Sequence, residues 1–233
     1  AVPEIGEVTD YIRVLDRSGY FETVTLSEDD LKRNDMYRAN AQRVKAQSRF
    51  ADYHEYLLSL EMTAEIGDFS PLYLQRITQL TNKSNQFNLT TKRYTAEQME
   101  AVYNSDEYIR LYGKLYDKFG DNGVVAVTIG KTDSEDKGRL DIELWLMSCR
   151  VLKRDMELAM LDSLVAQAKK RGIREIYGHY YPTAKNKMVS GLYESFGFEK
   201  ISQDEEGNTA WRLLVEGYED KNTVIKVKEE HYA

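Results

Sequence analysis

Between Arg139 and Tyr181 the sequence runs strand, helix, strand, and that alternation limits the fold more than any other feature. "RLDIELWLMSC" is apolar and β-prone, a strand reading. Met156 to Arg171 repeats apolar residues at helical spacing and closes on Lys169, Lys170, Arg171 and Gly172. That is a basic last turn followed by a C-cap glycine, both of which suit the negative end of a helix. "EIYGHYY" then returns to strand. The same vocabulary extends in both directions. "EMTAEIGDF" reads as a strand ended by Gly67, Pro71 to Leu80 as a helix, and "QFNLTTKRY" as extended chain. Thr95 with Gln98 forms a capping box that opens a further helix. "YIRLYGKLYDKFG" and "NGVVAVTIG" are strands, with Asp121-Asn122-Gly123 marking the hairpin turn between them. Ala184 to Phe196 reads as a helix ended by Gly197, before the strands "FEKISQ" and "AWRLLV". The order β-α-α-β-β-β-α-β-α-β-β describes one mixed sheet with helices on both faces.

In front of this stands a helical pattern opened by Ser27 as N-cap, with Val44, Tyr53, Tyr56, Leu57 and Leu60 on its apolar side. Arg33, Arg38, Arg43, Lys45 and Arg49 make its polar face, read as solvated or as a patch for an anionic partner. The tail from Gly217 offers "TVIKV" as an edge strand or is disordered.

Net charge is -7 over 233 residues, and no basic face of the size a phosphate backbone needs is visible, so a nucleic-acid partner is not expected. No apolar run reaches the roughly 20 residues that span a bilayer, so no membrane partner is expected and the chain reads as soluble and cytoplasmic. One cysteine, Cys149, excludes an internal disulfide, and three scattered histidines argue against a metal site.

Two segments resemble the GNAT superfamily of acyltransferases: "MSCRVLKRDMELAML", a strand running into a helix, and "NKMVSGLYESFGFEK", with Asn186, Tyr193, Gly197 and Phe198 in register with that family's pattern and Ser190 in place of its alanine. A closer resemblance is to the C-terminal region of FkbH-like proteins. "YRANAQR", "LTNKSNQFNLTTKRYT", "KFGDNGVVAV", "LMSCRVL" and "YPTAKNKMVSGLYESFGF" carry it. The resemblance implies an α/β fold, a GNAT-type mixed central sheet flanked by helices and preceded by a helical extension. Residues 1–26 would be a linker or the remnant of a preceding HAD-like domain, 27–60 the extension, 61–216 the acyltransferase domain and 217–233 a tail. It also implies transfer of a small, glyceryl-type acyl group to the phosphopantetheine thiol of an acyl-carrier protein in polyketide assembly. A HAD-like phosphatase domain would be present in cis or trans.

Cys149 falls just ahead of a helix, whose N-terminus stabilises a thiolate, with Arg150 and Arg154 nearby. Two readings stand: a relay nucleophile, or a buried cysteine behaving as a small hydrophobe. Arg150, Val151, Leu152, Lys153 and Arg154 occupy the turn where the resemblance implies a pyrophosphate cradle, and Asn186 belongs to the same donor set. Lys153 and Asp155 stand at the two glycine positions of the family's pattern. That departure favours a single carrier phosphopantetheine phosphate over free coenzyme A. Tyr193 is a candidate general acid and His179 a candidate base, against core packing for both. Asn82, Asn85, Gln86 and Asn88 are dense enough to read hydroxyl and carboxyl groups of an acyl unit, or to cap helices and turns. Two further functions remain open: an acetyl-CoA-dependent N-acetyltransferase, and a non-catalytic carrier-docking domain. No metal is expected.

Overall fold

A computed structural model describes the backbone of residues 33–229 and the side chains of 37–228. The Ser27 cap and the expected remnant at 1–26 lie outside them. The chain forms two compact units, 1–42 and 43–233. The described part of the first is residues 33–42 of helix α1 (Arg33–Gln47).

The second unit holds the sheet. Helix α2 (Tyr53–Ser59) starts on Asp52, whose carboxylate accepts the Glu55 amide at 2.8 Å. Strand β1 (Thr63–Asp68) leads to α3 (Pro71–Lys83), which opens on a proline where no N–H is needed. A two-residue strand β2 (Phe87–Asn88) precedes α4 (Ala96–Tyr103), and both bonds of its Thr95–Gln98 capping box are made. Then come β3 (Tyr108–Asp117), β4 (Gly120–Thr132), β5 (Arg139–Met147), α5 (Met156–Lys170) and β6 (Glu175–Tyr180). Last are α6 (Leu192–Ser195), β7 (Glu199–Gln203), β8 (Thr209–Leu214) and β9 (Lys226–Glu229).

The strands lie in the order β7-β8-β6-β5-β4-β3-β1-β9, with β2 added onto β5. Among the described strands only β5–β6 and β1–β9 pair in parallel. This is the mixed α/β sheet that the alternation of strand and helix requires; the edge strand β9 takes only Lys226 and Val227 from "TVIKV" and runs on to Glu229. One core layer joins α2, α5 and α6 to one face; the other packs α3 and α4 on Tyr112, Val127, Ile129, Leu144 and Leu146. Helix α5 presses so closely on β3 that a Cβ at Gly113 would lie 2.3 Å from Met156 Cε. Arg171 and Gly172 end α5, Gly172 at φ +70°, a backbone region that glycine enters freely.

Three expectations fail. The β3–β4 turn is Lys118–Phe119, and Asp121-Asn122-Gly123 lie inside β4, where the register shifts. Asp117 sets the tighter turn, its carboxylate accepting the Phe119 amide at 2.9 Å. Residues 184–196 are not one helix: a 3-10 turn at Lys187–Val189 and the four-residue α6 are separated by Gly191, which breaks the ladder. Finally, Arg43 is not on a solvated face. It is 5% exposed while Val44 is 62% exposed, because Arg43 pairs with Asp117 in the interior. Among the described residues no helix is long and apolar enough to cross a membrane.

Candidate functional site

β5 and β6 pair directly through three residues only, Arg139–Glu175, Leu140–Ile176 and Asp141–Tyr177. Beyond that point they part, and a bulge at Glu143 marks where the pairing of β5 with β4 shifts register. The gap between them is filled by the chain itself. Phe87 pairs with Met147 and Asn88 with Leu146, antiparallel to β5. The Leu89 amide donates to Trp145 O at 3.1 Å, and Leu89 O accepts the Tyr181 amide at 2.9 Å. Residues 87–91 are therefore a strap bonded to both lips of the gap. Thr90 Oγ1 donates to Glu143 O at 2.7 Å, and Leu89 is 0% exposed within the core. Burial of Phe87 and Leu89 contributes about 1.5–3 kcal/mol each.

Asn186 pins the strap. Its Nδ2 donates to Asn88 O and to Tyr181 O, both at 2.9 Å. Its Oδ1 accepts the Thr183 amide at 2.7 Å and Thr183 Oγ1 at 3.0 Å. The side chain is 0% exposed, so its bonding capacity is spent on joining the strap to the end of β6. Asn88, Asn85 and Asn82 serve the same local order. Asn88 Oδ1 accepts the Thr91 amide at 2.9 Å, Asn85 Oδ1 accepts an Arg93 N–H at 2.6 Å, and Asn82 Nδ2 donates to Thr78 O and Tyr94 O. Gln86 is exposed.

After Met147 the chain leaves the sheet in a 3-10 turn, Cys149–Val151, which Ser148 caps by accepting the Arg150 amide. Cys149 is exposed, which sets aside the small buried hydrophobe. Val151 is buried and Leu152 half-buried; both anchor the turn against the core. Lys153 and Asp155 adopt positive φ (+62° and +59°), so the backbone keeps a glycine-type path with bulkier residues. Tyr53 Oη donates to Lys153 O at 2.6 Å and ties α2 to this turn. Arg154 turns inward. Its guanidinium donates to Asp117 Oδ2 at 3.1 Å and to Arg150 O at 2.9 Å, while Arg43 Nε meets the same Asp117 oxygen at 2.7 Å. Two arginines thus share one fully buried carboxylate below the turn.

Glu157, in the first turn of α5, is not among the expected site residues. Its Oε2 is sealed from solvent with no hydrogen-bond partner. Burial, reinforced by Asp155, pushes its pKa up to about 7. A signal existed: Glu157 shares the helix face of Leu161, Leu164 and Ala168, all buried.

His179 and Tyr193 lie elsewhere. His179 Nε2 is 3.3 Å from Asp141 Oδ1, and its ring stacks on Tyr181. Burial alone would raise the Asp141 pKa, but the hydrogen bonds from His179 and Arg139 hold it below the ordinary carboxylate value. His179 Nε2 meets Asp141, six residues before Met147 at the end of β5. At about 3.3 Å per residue that is ~20 Å along the strand, with Cys149 beyond its end, so His179 and Cys149 do not form a pair. Tyr193 packs in the core against Trp145, Phe198 and Trp211. Its ring covers Gly178, where a Cβ would fall 2.3 Å from Tyr193 Cε1. The hydroxyl lies near the His179 backbone but outside hydrogen-bond geometry, and burial raises its pKa far above the usual phenol value.

No protein-family model matches the chain, and no curated protein matches it. Solved structures do. An acetyltransferase from Thermus thermophilus aligns at 13% identity and a TM-score of 0.51, covering 65% of this chain and 97% of that one. An acetyltransferase of the GNAT family from Streptococcus pneumoniae aligns at 18% identity and a TM-score of 0.50, covering 65% and 99%. The structure of yncA from Salmonella typhimurium with its cofactor acetyl-CoA gives 14% identity and a TM-score of 0.50, covering 70% and 99%. The chain has the GNAT fold: the mixed sheet and its flanking helices are those of these acetyltransferase structures.

Proposed function

We propose that the chain is an acyltransferase that relays a small hydroxylated acyl group through Cys149 to or from the phosphopantetheine thiol of an acyl-carrier protein. The observation that carries this reading is the placement of Cys149: exposed, and opening the 3-10 turn that follows β5, seven residues before α5 begins rather than directly ahead of it. A coenzyme A molecule laid along β5 does not fit the residues present. The strap holds Trp145 O and the Tyr181 amide, bulk replaces glycine at Lys153 and Asp155, and acids stand at the start of α5. A carrier-borne thioester meets Cys149 at the mouth of the gap without entering it.

The step is a thioester exchange. The Cys149 thiol gives its proton to solvent, and its sulfur attacks the acyl carbonyl. The carbon–sulfur bond to the carrier arm breaks, and the departing thiolate takes up a proton. Reversal on a second thiol releases the acyl group. Arg150 follows Cys149 directly and Lys153 stands four residues on; together they supply positive charge for the single phosphate of the arm. Gln86 is the exposed amide left to meet the acyl hydroxyls. A phosphatase-like partner, in cis or in trans, belongs to the same reading as the source of the acyl unit.

The test is the intact mass of the protein after mixing with glyceryl-loaded acyl-carrier protein, beside Cys149→Ser. A glyceryl adduct on the native protein and none on the variant is the expected result; an untouched carrier thioester and no adduct removes the relay. A second reading, N-acetyl transfer with His179 as base, draws on the His179–Asp141 pair. It predicts turnover that survives Cys149→Ser.

A further inference from the structure

We infer that residues 87–91 and an extended, amide-bearing arm are alternative occupants of the β5–β6 gap, with the chain's own strap as the resident one and Asn186 as the residue that positions it. The inference rests on the proposed acyl transfer only for its choice of ligand.

Among its polar groups the gap presents Trp145 O on the β5 side and the Tyr181 amide on the β6 side. Leu89 satisfies both with its single N–H and single C=O. A pantetheine arm carries the same groups in its amides, and seated there it would make the same two bonds. Both cannot be present, because the Tyr181 amide has one N–H to give and Phe87, Asn88 and Leu89 are all buried in the space between. The strap keeps its seat through side chains rather than through backbone preference. Thr91, at its end, sits at φ +55°, a region that β-branched residues avoid. The amides that hold this path are those of Asn88, which accepts from the Thr91 N–H, and Asn186, which donates to the strap and to β6 together. Asn186 therefore keeps a pantetheine arm, free or carrier-borne, out of the gap.

Residue-resolved amide hydrogen exchange on the full chain, with and without excess coenzyme A, tests this together with calorimetry. In the native protein the Leu89 and Tyr181 amides should exchange as slowly as the centre of β4 and be unchanged by coenzyme A. In Asn186→Ala both should exchange about tenfold faster, the factor that corresponds to one lost hydrogen bond. Coenzyme A should bind this variant about tenfold more tightly, reprotecting Tyr181 but not Leu89. Asn88→Ala, which removes the Thr91 anchor and the bond to Ser84 O, should shift the same readouts in the same direction and serves if Asn186→Ala does not fold. Coenzyme A bound to the native protein with Leu89 still protected would show that both occupants fit at once and overturn the inference. Equal coenzyme A affinity in the native and variant proteins would do the same. Cys149 takes no part in these readouts, so a missing acyl adduct would remove the relay and leave this exchange pattern standing.

Discussion

The strap-filled gap and the turn after Met147 adjoin along one strand, yet they are built on opposite terms. In the gap each lip group is answered: Trp145 O by Leu89, the Tyr181 amide by Leu89 O, Asn88 O by Asn186. In the turn, two bulky residues hold positive φ and a thiol faces solvent, and in the first turn of α5 behind it one carboxylate oxygen of Glu157 is sealed without a partner. The lesson lies in pairing rather than in strain, since the strap too holds a residue at positive φ, Thr91. The gap spends its polar groups within the chain, and the turn leaves a thiol exposed to solvent.

That contrast can be attacked at its foundations. The largest effect is expected from Asp117→Ala, which leaves Arg43 and Arg154 buried without a counter-charge and releases the turn. A loss of about 3–5 kcal/mol in urea unfolding is expected. Next is Asn186→Ala, expected to cost about 2–3 kcal/mol, since it unmakes bonds to Asn88, Tyr181 and Thr183 in a dry site. A smaller cost would mean that the gap is less settled than its bonds imply.

Glu157→Gln probes the turn through pH. The folded-state pKa of Glu157, about 7, lies above the ordinary 4.5, so the folded chain retains a proton that the unfolded chain releases. Its contribution is complete below the ordinary value and is lost as pH rises through about 7. Glu157→Gln should therefore leave stability almost unchanged at acid pH and raise it by about 2 kcal/mol above neutrality, read from urea midpoints on either side of the transition. A gain that is the same at both pH values would show the carboxyl is not sealed. The smallest expected effect is that of Lys153→Gly, which relieves a left-handed lysine and should stabilise by up to about 1 kcal/mol. No gain would mean that the Tyr53 bond to Lys153 O, rather than steric strain, governs the turn.

Local signals carry the legible part of the fold. The basic end of α5 with Gly172 behind it, the Thr95–Gln98 capping box, and the period-two and 3.6-residue patterns each act within a few residues, and each appears where the sequence places it. What is not legible depends on partners far along the chain. Arg43 reads as one more solvated arginine until Asp117, seventy-four positions away, is folded beneath it. "DNG" reads as a hairpin turn, but the Asp117 side chain closes an earlier one. The amides between 82 and 88 stand out as dense, with no sign in the sequence that most are committed to the segment itself. Asn186 is singled out by its motif, but its strap partner Asn88 lies ninety-eight residues upstream and leaves no periodic trace.

The strap also bears on how the protein behaves in a crowd of its own kind. Residues 142–147, "IELWLM", are apolar and rich in residues that favour extended chain. With one side paired to β4 and the other open, such a stretch would be a template for a neighbouring molecule to add onto, the usual beginning of an ordered aggregate. Phe87, Asn88 and Leu89 fill that position from within. Loosening the strap therefore carries a liability independent of catalysis: it bares a sticky edge, and insoluble protein would accumulate as it opens.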